Sequence, residues 1–334
     1  MDQKTPLSTL FSGELEGTER FLDYGDVDLA HRASALTLRD FSKKHRACRP
    51  EVMEEGLSFL METAGKGRCV YPLYEEGECC EDETKRDVRL YAFPGGEGAE
   101  KRPVVLICAG GGYAYVCNIV EGFPVAKRFC EQGYDAYVLN YRVGTAPALP
   151  RASEDLERAV RFVAARCGGR GYVLCGFSAG GNLITQWGTA NFGFSARRLP
   201  APKALLAIYP AIITRALCSD FRHVGFLKRM FGALSKEDIL AAYDVMAHSE
   251  GFPPTYVAVG KHDILIDRKP LMAFCAKLQQ RGILSHLDVF PRAPHGFGEG
   301  TGTGAEGWIS RAVAFLEKYN AAIHCLERNT GGFL

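Results

Sequence analysis

A chain of 334 residues, 47% of them hydrophobic, can bury a large core as one large α/β domain or two smaller ones. Its net charge is +1, and no long basic or acidic block asks for nucleic acid or an anionic membrane surface as partner. Met1 to Gly17 lacks a basic start and an apolar run, and no stretch is apolar for long enough to span a bilayer, so the sequence predicts a cytoplasmic protein whose 12 cysteines are free thiols.

Residues 1–30 are polar with scattered apolar positions and read as an arm, packed on the body or loose. Ala35 to His45 reads as a short helix. Pro50 opens a clearer one, since proline suits the first helical position. Val52, Met53, Leu57, Leu60 and Met61 recur there at helical spacing, and Gly65 is the expected cap. This stripe is expected to pack on the main body. The alternatives are that it covers a pocket or forms a homodimer contact. Residues 1–69 are thus expected to be an N-terminal extension of a catalytic body spanning 70–334.

Val70–Tyr74 and Asp87–Phe93 read as strands, with a charged exposed hairpin loop, 75–86, between them. Within that loop Cys79 and Cys80 are adjacent, but no second pair stands at metal-ligand spacing, and no metal is expected. From Pro103 the pattern changes. Val104–Cys108 is apolar throughout, as a strand covered on both faces should be. It ends in Ala109-Gly110-Gly111-Gly112-Tyr113. Val125–Gln132 reads as helix, Ala136–Leu139 as strand and Leu149–Cys167 as a long amphipathic helix. Further strands are expected at Tyr172–Cys175, Ala204–Ile208, Thr255–Val259 and His286–Phe290. Helices are expected at Lys269–Gln280 and Trp308–Ala322. Thr214–Glu250 breaks the alternation with helix-like sequence and large apolar residues, and reads as a cap over the strand ends. Strands alternating with helices predict an open, mostly parallel α/β sheet with helices on both faces.

The densest chemical signal is Gly176-Phe177-Ser178-Ala179-Gly180-Gly181. A strand precedes it and a helix-like run follows, which is the setting of a G-x-S-x-G nucleophile elbow. In an open α/β sheet ligands bind beyond the carboxyl ends of the strands. Ser178, Asp263 and His295 fall at such ends, in the order expected of a Ser–Asp–His triad. The chemistry needs each: serine needs a base, His295 can take and return the proton, and Asp263 can hold the imidazole tautomer. Asp267 is the substitute for Asp263, unless it caps the following helix. The backbone N–H groups of Gly111, Gly112 and Ala179 are the expected oxyanion donors. Tyr113, Tyr115, Phe177, Tyr209 and Phe297 adjoin the motifs, either lining a substrate pocket or packing. Glu121 and Arg142 read as structural, in a buried ion pair or bracing the glycine loop.

The chain resembles the α/β-hydrolase esterases, in the branch of hormone-sensitive-lipase-like, feruloyl-esterase-like and xylan-acetylesterase-like proteins. The resemblance runs from about residue 85 to 325. It rests on Ala109 to Tyr113, Glu121 to Ala126, Asn140-Tyr141-Arg142, Asp155 to Val160, Gly176 to Gly181, Gly260 to Asp263 and His295-Gly296-Phe297. Ala109 departs from the histidine or proline usual in that glycine motif. The resemblance implies a serine ester hydrolase forming an acyl-enzyme, with short acyl groups and a small-molecule ester, carbohydrate acetyl esters among them, as substrate. An amidase or peptidase would use the same triad, and a silent hydrolase fold would keep only the shape. Without a P-loop, dinucleotide fingerprint or H-E-x-x-H motif, no cofactor is expected.

Overall fold

Val104 to Cys108 contains no exposed residue, and the strand it forms, β3, lies near the middle of an eight-stranded sheet. The computed structural model describes residues 3–25 and 35–330, with 320–330 as backbone only. The strands are β1 (Val70–Pro72), β2 (Arg89–Phe93), β3 (Val104–Cys108), β4 (Ala136–Asn140), β5 (Tyr172–Phe177), β6 (Ala204–Ile208), β7 (Thr255–Gly260) and β8 (Ser285–Phe290). Their spatial order is β1-β2-β4-β3-β5-β6-β7-β8. β1 and β2 are antiparallel to their neighbours and the other pairings are parallel. The sheet is mostly parallel, as the sequence predicts.

The parallel part of the sheet begins at β3, from which the chain steps to one side to form β4, then crosses back to β5 and continues the other way. Right-handed crossovers in opposite directions place helices on opposite faces and open a crevice between the ends of β3 and β5. The glycine loop after Cys108 and the turn after Phe177 both lie at that crevice.

The N-terminal residues are packed. Leu7, Phe11, Leu15, Phe21 and Leu22 are buried, and Tyr24 bridges Val116 beside the glycine loop. Residues 1–2 and 26–30 of the expected arm lie outside the described residues. Helix α1 (Leu38–Lys44) is closed by a Thr37–Asp40 capping box. Helix α2 (Pro50–Lys66) begins at the expected proline and runs past Gly65 to end at Gly67. It packs closely on the body: a Cβ on Gly56 would lie 2.7 Å from the Pro124 ring.

Residues 75–86 are mostly exposed and link the antiparallel β1 and β2, as expected, but they are not plain loop. Glu76–Glu81 forms a helical turn closed by a Glu75–Glu78 capping box, and Glu83–Asp87 forms a 3-10 turn capped by Asp82. The acidic residues that suggested solvent serve as local caps and as ion-pair partners for Arg86, Arg142 and Arg158. Residues 214–250 fold into three short helices, Arg215–Ser219, Val224–Phe231 and Lys236–Tyr243. Leu227, Met230 and Phe231 are buried beneath them, whereas Phe221 stays 85% exposed. No helix among the described residues is long and apolar enough to cross a membrane.

Candidate active site

β5 passes directly into the helix Ser178–Trp187 with no intervening loop. Only small neighbours allow so sharp a turn. A Cβ on Gly176 would lie 2.4 Å from the Gly180 carbonyl oxygen, and one on Gly180 would lie 2.1 Å from that of Cys108. Ser178 has φ 48°, in the left-handed region that costs a non-glycine residue about 1 kcal/mol or more. The packed strand and helix on either side hold that strain. The hydroxyl stands at a helix N-terminus, where backbone N–H groups are unsatisfied and the dipole favours negative charge.

His295 follows β8, and its Nε2 lies 3.1 Å from Ser178 Oγ. Its Nδ1 lies 2.8 Å from Asp263 Oδ2. The Asp263 side chain is fully buried, while that of His295 is 16% exposed. The second Asp263 oxygen accepts the N–H groups of Leu265 and Ile266, each at 2.9 Å. These bonds satisfy the buried carboxylate and fix its direction. Asp267 accepts from the Lys269 N–H at 3.0 Å and caps the helix Arg268–Gln280. The geometry therefore brings Asp263, and not Asp267, to the histidine. His223 opens onto the same cavity, His248 and His286 bond elsewhere, and His262 is exposed.

The glycine loop is braced from below. Glu121 Oε2 accepts the Gly110 N–H at 2.6 Å, and Oε1 accepts the Tyr209 hydroxyl at 2.8 Å. Tyr209 in turn accepts the Gly298 N–H at 3.2 Å, three residues after the histidine. Burial holds the Glu121 carboxyl above its ordinary range, opposed by these donors. Because Gly110 is engaged, Gly111 and Gly112 are the loop residues left facing the cavity beside Ser178. A Cβ on Gly111 would lie 2.1 Å from the Tyr115 carbonyl oxygen, so the loop cannot tolerate a side chain there. At the non-family position Ala109, the carbonyl accepts the Tyr141 hydroxyl at 2.6 Å. Glu121 and Arg142 do not pair. Arg142 binds Asp155 with Nε at 2.9 and 3.1 Å, far along the chain from the loop that Glu121 braces.

A family model described as alpha/beta hydrolase fold matches residues 105–299, which contain every one of these groups. The chain belongs to the alpha/beta hydrolase fold family. It is 26% identical to Endo-1,4-beta-xylanase B of Butyrivibrio fibrisolvens over 62% of this chain and 34% of that protein. It is 27% identical to Esterase LipC of Mycobacterium tuberculosis over 58% of this chain and 53% of that protein. The chain thus spans less than two thirds of the length of either curated relative. Among solved structures, the acetyl ester-xyloside bifunctional hydrolase from Caldicellulosiruptor lactoaceticus shares the fold with a TM-score of 0.60. That match has 22% identity and covers 76% of this chain and 96% of the other.

In this alpha/beta hydrolase the cavity above Ser178 measures about 630 Å³. Four aromatics expected as candidate pocket residues, Tyr113, Phe177, Tyr209 and Phe297, are not on its walls. All four are buried under it. Tyr113 turns its hydroxyl to Asn182 Oδ1 at 3.0 Å. Tyr209 packs on the His295 ring at 4.8 Å and on Phe297 at 4.6 Å. Phe177 packs on Trp308. These residues support the site from beneath. The walls come instead from Tyr115, from Phe226 on the helix Val224–Phe231, from Ile264 to Ile266, and from residues 44–47 at the end of α1. No motif marks 44–47 in the sequence; their role follows from the Tyr24–Val116 bridge and the His45–Asp23 contact of 2.6 Å, which tie the N-terminal segment to the loop.

Asp23, His45 and Cys117 cluster within 4.8 Å of one another and are the metal-ligand types gathered most closely among the described residues. Lys44 Nζ already stands 2.8 Å from the shared Asp23 oxygen, in the place of a cation. Burial also drives the Cys117 thiol far above its ordinary value, against the thiolate a metal would need.

Proposed function

We propose that the chain is a serine carboxylic-ester hydrolase that works through an acyl-enzyme on short acyl esters, acetyl esters of carbohydrates foremost. The observation that carries this reading is the unbroken line of contacts from Ser178 Oγ to His295 Nε2 at 3.1 Å and from His295 Nδ1 to Asp263 at 2.8 Å.

Ser178 Oγ attacks the ester carbonyl as His295 Nε2 takes its proton. Asp263 holds the Nδ1–H tautomer and stabilises the imidazolium. The Gly111, Gly112 and Ala179 N–H groups receive the oxyanion. Collapse expels the alcohol, which takes its proton from His295. Water then repeats the sequence on the acyl-enzyme and frees the acid and Ser178. No step needs a cofactor. The acetyl and carbohydrate assignment draws support from the acetyl ester and xyloside named for the structural neighbour and from the xylanase relative. A cytoplasmic setting draws support from the free thiols, such as Cys108, Cys117 and Cys175 in the core.

The test measures initial rates on p-nitrophenyl esters from acetate to decanoate, on acetylated xylose and on p-nitroacetanilide, with wild type and Ser178→Ala. A rate that falls with acyl length and vanishes in the variant is expected. Faster turnover of the anilide would make the protein an amidase, and a folded wild type inert on all of them would leave it a silent hydrolase fold.

A further inference from the structure

The cavity over Ser178 is uneven in charge. Besides His295, its walls carry Lys44, His45, Arg46, Arg222, His223 and Arg229, and among the described residues Glu121 is the one carboxylate lining it. Some of these charges are answered locally. Lys44 pairs with Asp23, and Arg222 pairs with Asp220. Glu121 lies on the floor, with its oxygens engaged by Gly110 and Tyr209.

Arg46 and Arg229 remain. The Arg46 Nε donates only to the Lys43 carbonyl at 3.4 Å, and Arg229 Nη1 donates to the Gly112 carbonyl at 2.8 Å. Neither meets a carboxylate among the described residues. A guanidinium offers five N–H donors in a planar fork, so a single carbonyl leaves most of them unused. Arg229 holds the loop that carries the expected oxyanion donors, so its charge stands close to the reacting carbonyl. Phe226 lies one helical turn before it on the same helix, and with Ile264, Leu265 and Ile266 gives the cavity an apolar side.

Two arginines without counter-ions facing an apolar wall fit a ligand with an apolar body and an anionic end. An acetyl group beside Ser178 fills little of a cavity of about 630 Å³, so the rest of the space belongs to the alcohol. We propose, resting on the esterase reading above, that the leaving alcohol carries a carboxylate, which Arg46 and Arg229 bind at the cavity mouth. Charge-assisted bonds would hold it, and the positive mouth would speed its encounter.

The test compares 4-acetoxybenzoate with 4-acetoxybenzamide, an uncharged ester of matching shape, each rate divided by its rate with hydroxide. Wild type is expected to favour the acid by about tenfold or more in kcat/KM, mainly through KM. Arg46→Gln and Arg229→Gln should each lower that ratio, and Arg229→Lys should recover part of it. The ratio is the readout, because Arg229 also holds Gly112 and its loss can slow both esters. Raising NaCl from about 50 to about 500 mM should raise KM for the acid alone. Equal handling of the two esters, or a preference that no arginine variant moves, overturns the proposal and leaves the esterase reading standing. So does a preference for charge on the acyl side only, shown by mono-4-nitrophenyl succinate beating 4-nitrophenyl butyrate while the benzoate gains nothing. If wild type cleaves none of these, nor p-nitrophenyl acetate or acetylated xylose, the esterase reading falls. Calorimetry then decides the arginines' role: tighter binding of 4-hydroxybenzoate than of 4-hydroxybenzamide supports it, and equal binding overturns it.

Discussion

Ser178 sits in a strained conformation because its neighbours leave the chain no other path, and removing its hydroxyl relieves none of that backbone strain. Ser178→Ala is therefore expected to keep the fold and lose about three to six orders of magnitude in kcat. Circular dichroism and p-nitrophenyl acetate turnover check the two halves of that statement, and retained turnover would refute the assignment of the nucleophile. Asp263→Asn should cost less than Ser178→Ala and much more than Asp267→Asn, which keeps a side-chain oxygen able to cap the helix. The reverse ranking would make Asp267 the acid. Below the glycine loop, Tyr209→Phe would leave Glu121 Oε1 and the Gly298 N–H without their partner in the core. A loss of about 2 kcal/mol in urea unfolding is expected, and a neutral result would show that the network is dispensable. Glu121 also predicts a pH effect with a definite sign. Its carboxyl is raised in the folded state, so folding binds a proton in the interval above the ordinary glutamate value. The stability it contributes is fullest below that interval and falls as pH rises through it. The wild-type advantage over Glu121→Gln should therefore shrink as pH rises above the ordinary glutamate range, and a constant gap would show that Glu121 does not titrate there.

At the scale of elements, α2 packs closely on the helix Phe123–Glu131, where Gly56 meets Pro124. Gly56→Val should destabilise the protein by about 1–3 kcal/mol in denaturant titration, and an unchanged midpoint would mean that the helix is free to move. The β-strands were legible because burial on both faces leaves runs such as Val104–Cys108 with no polar residue. That Ser178 and His295 would come together was legible because their constraints are local: a glycine-flanked turn and a loop at a strand end. The preference for Asp263 over Asp267 agrees with the geometry, although both lie at the same strand end and only the third dimension aims one at His295. The misplaced aromatics have a simple cause. Side chains alternate along a strand, so Phe177 points beneath the sheet edge that Ser178 rises above. Tyr113 adopts φ 56°, which turns it under the loop. Residues 44–47 carried no periodicity or motif, and their place depends on pairings made far away in the chain. Residues 75–86 are exposed and join β1 to β2 as the sequence predicts, but their helical turns were missed because acidic residues that cap one another also look like plain solvated loop.

The molecule as a whole shares one hydrophobic core between its N-terminal segment and the sheet, with Leu7, Phe21 and Leu57 in the same cluster as Val105 and Leu174. Unfolding is therefore expected as one cooperative event. Calorimetric and van't Hoff enthalpies should agree, and a separate early transition would show that residues 1–69 form their own unit.

The site is also spread along almost the whole chain, from Lys44 through Gly111, Ser178, Arg229 and Asp263 to His295. On a ribosome those parts appear in that order, so one wall of the cavity is synthesised first and His295 last. On the proposed mechanism, a nascent chain that already carries Ser178 has nothing to activate it until the sheet has closed around its final strand. The synthesis order would then keep the serine quiet, and any esterase activity in a translation reaction should come only from chains finished past His295.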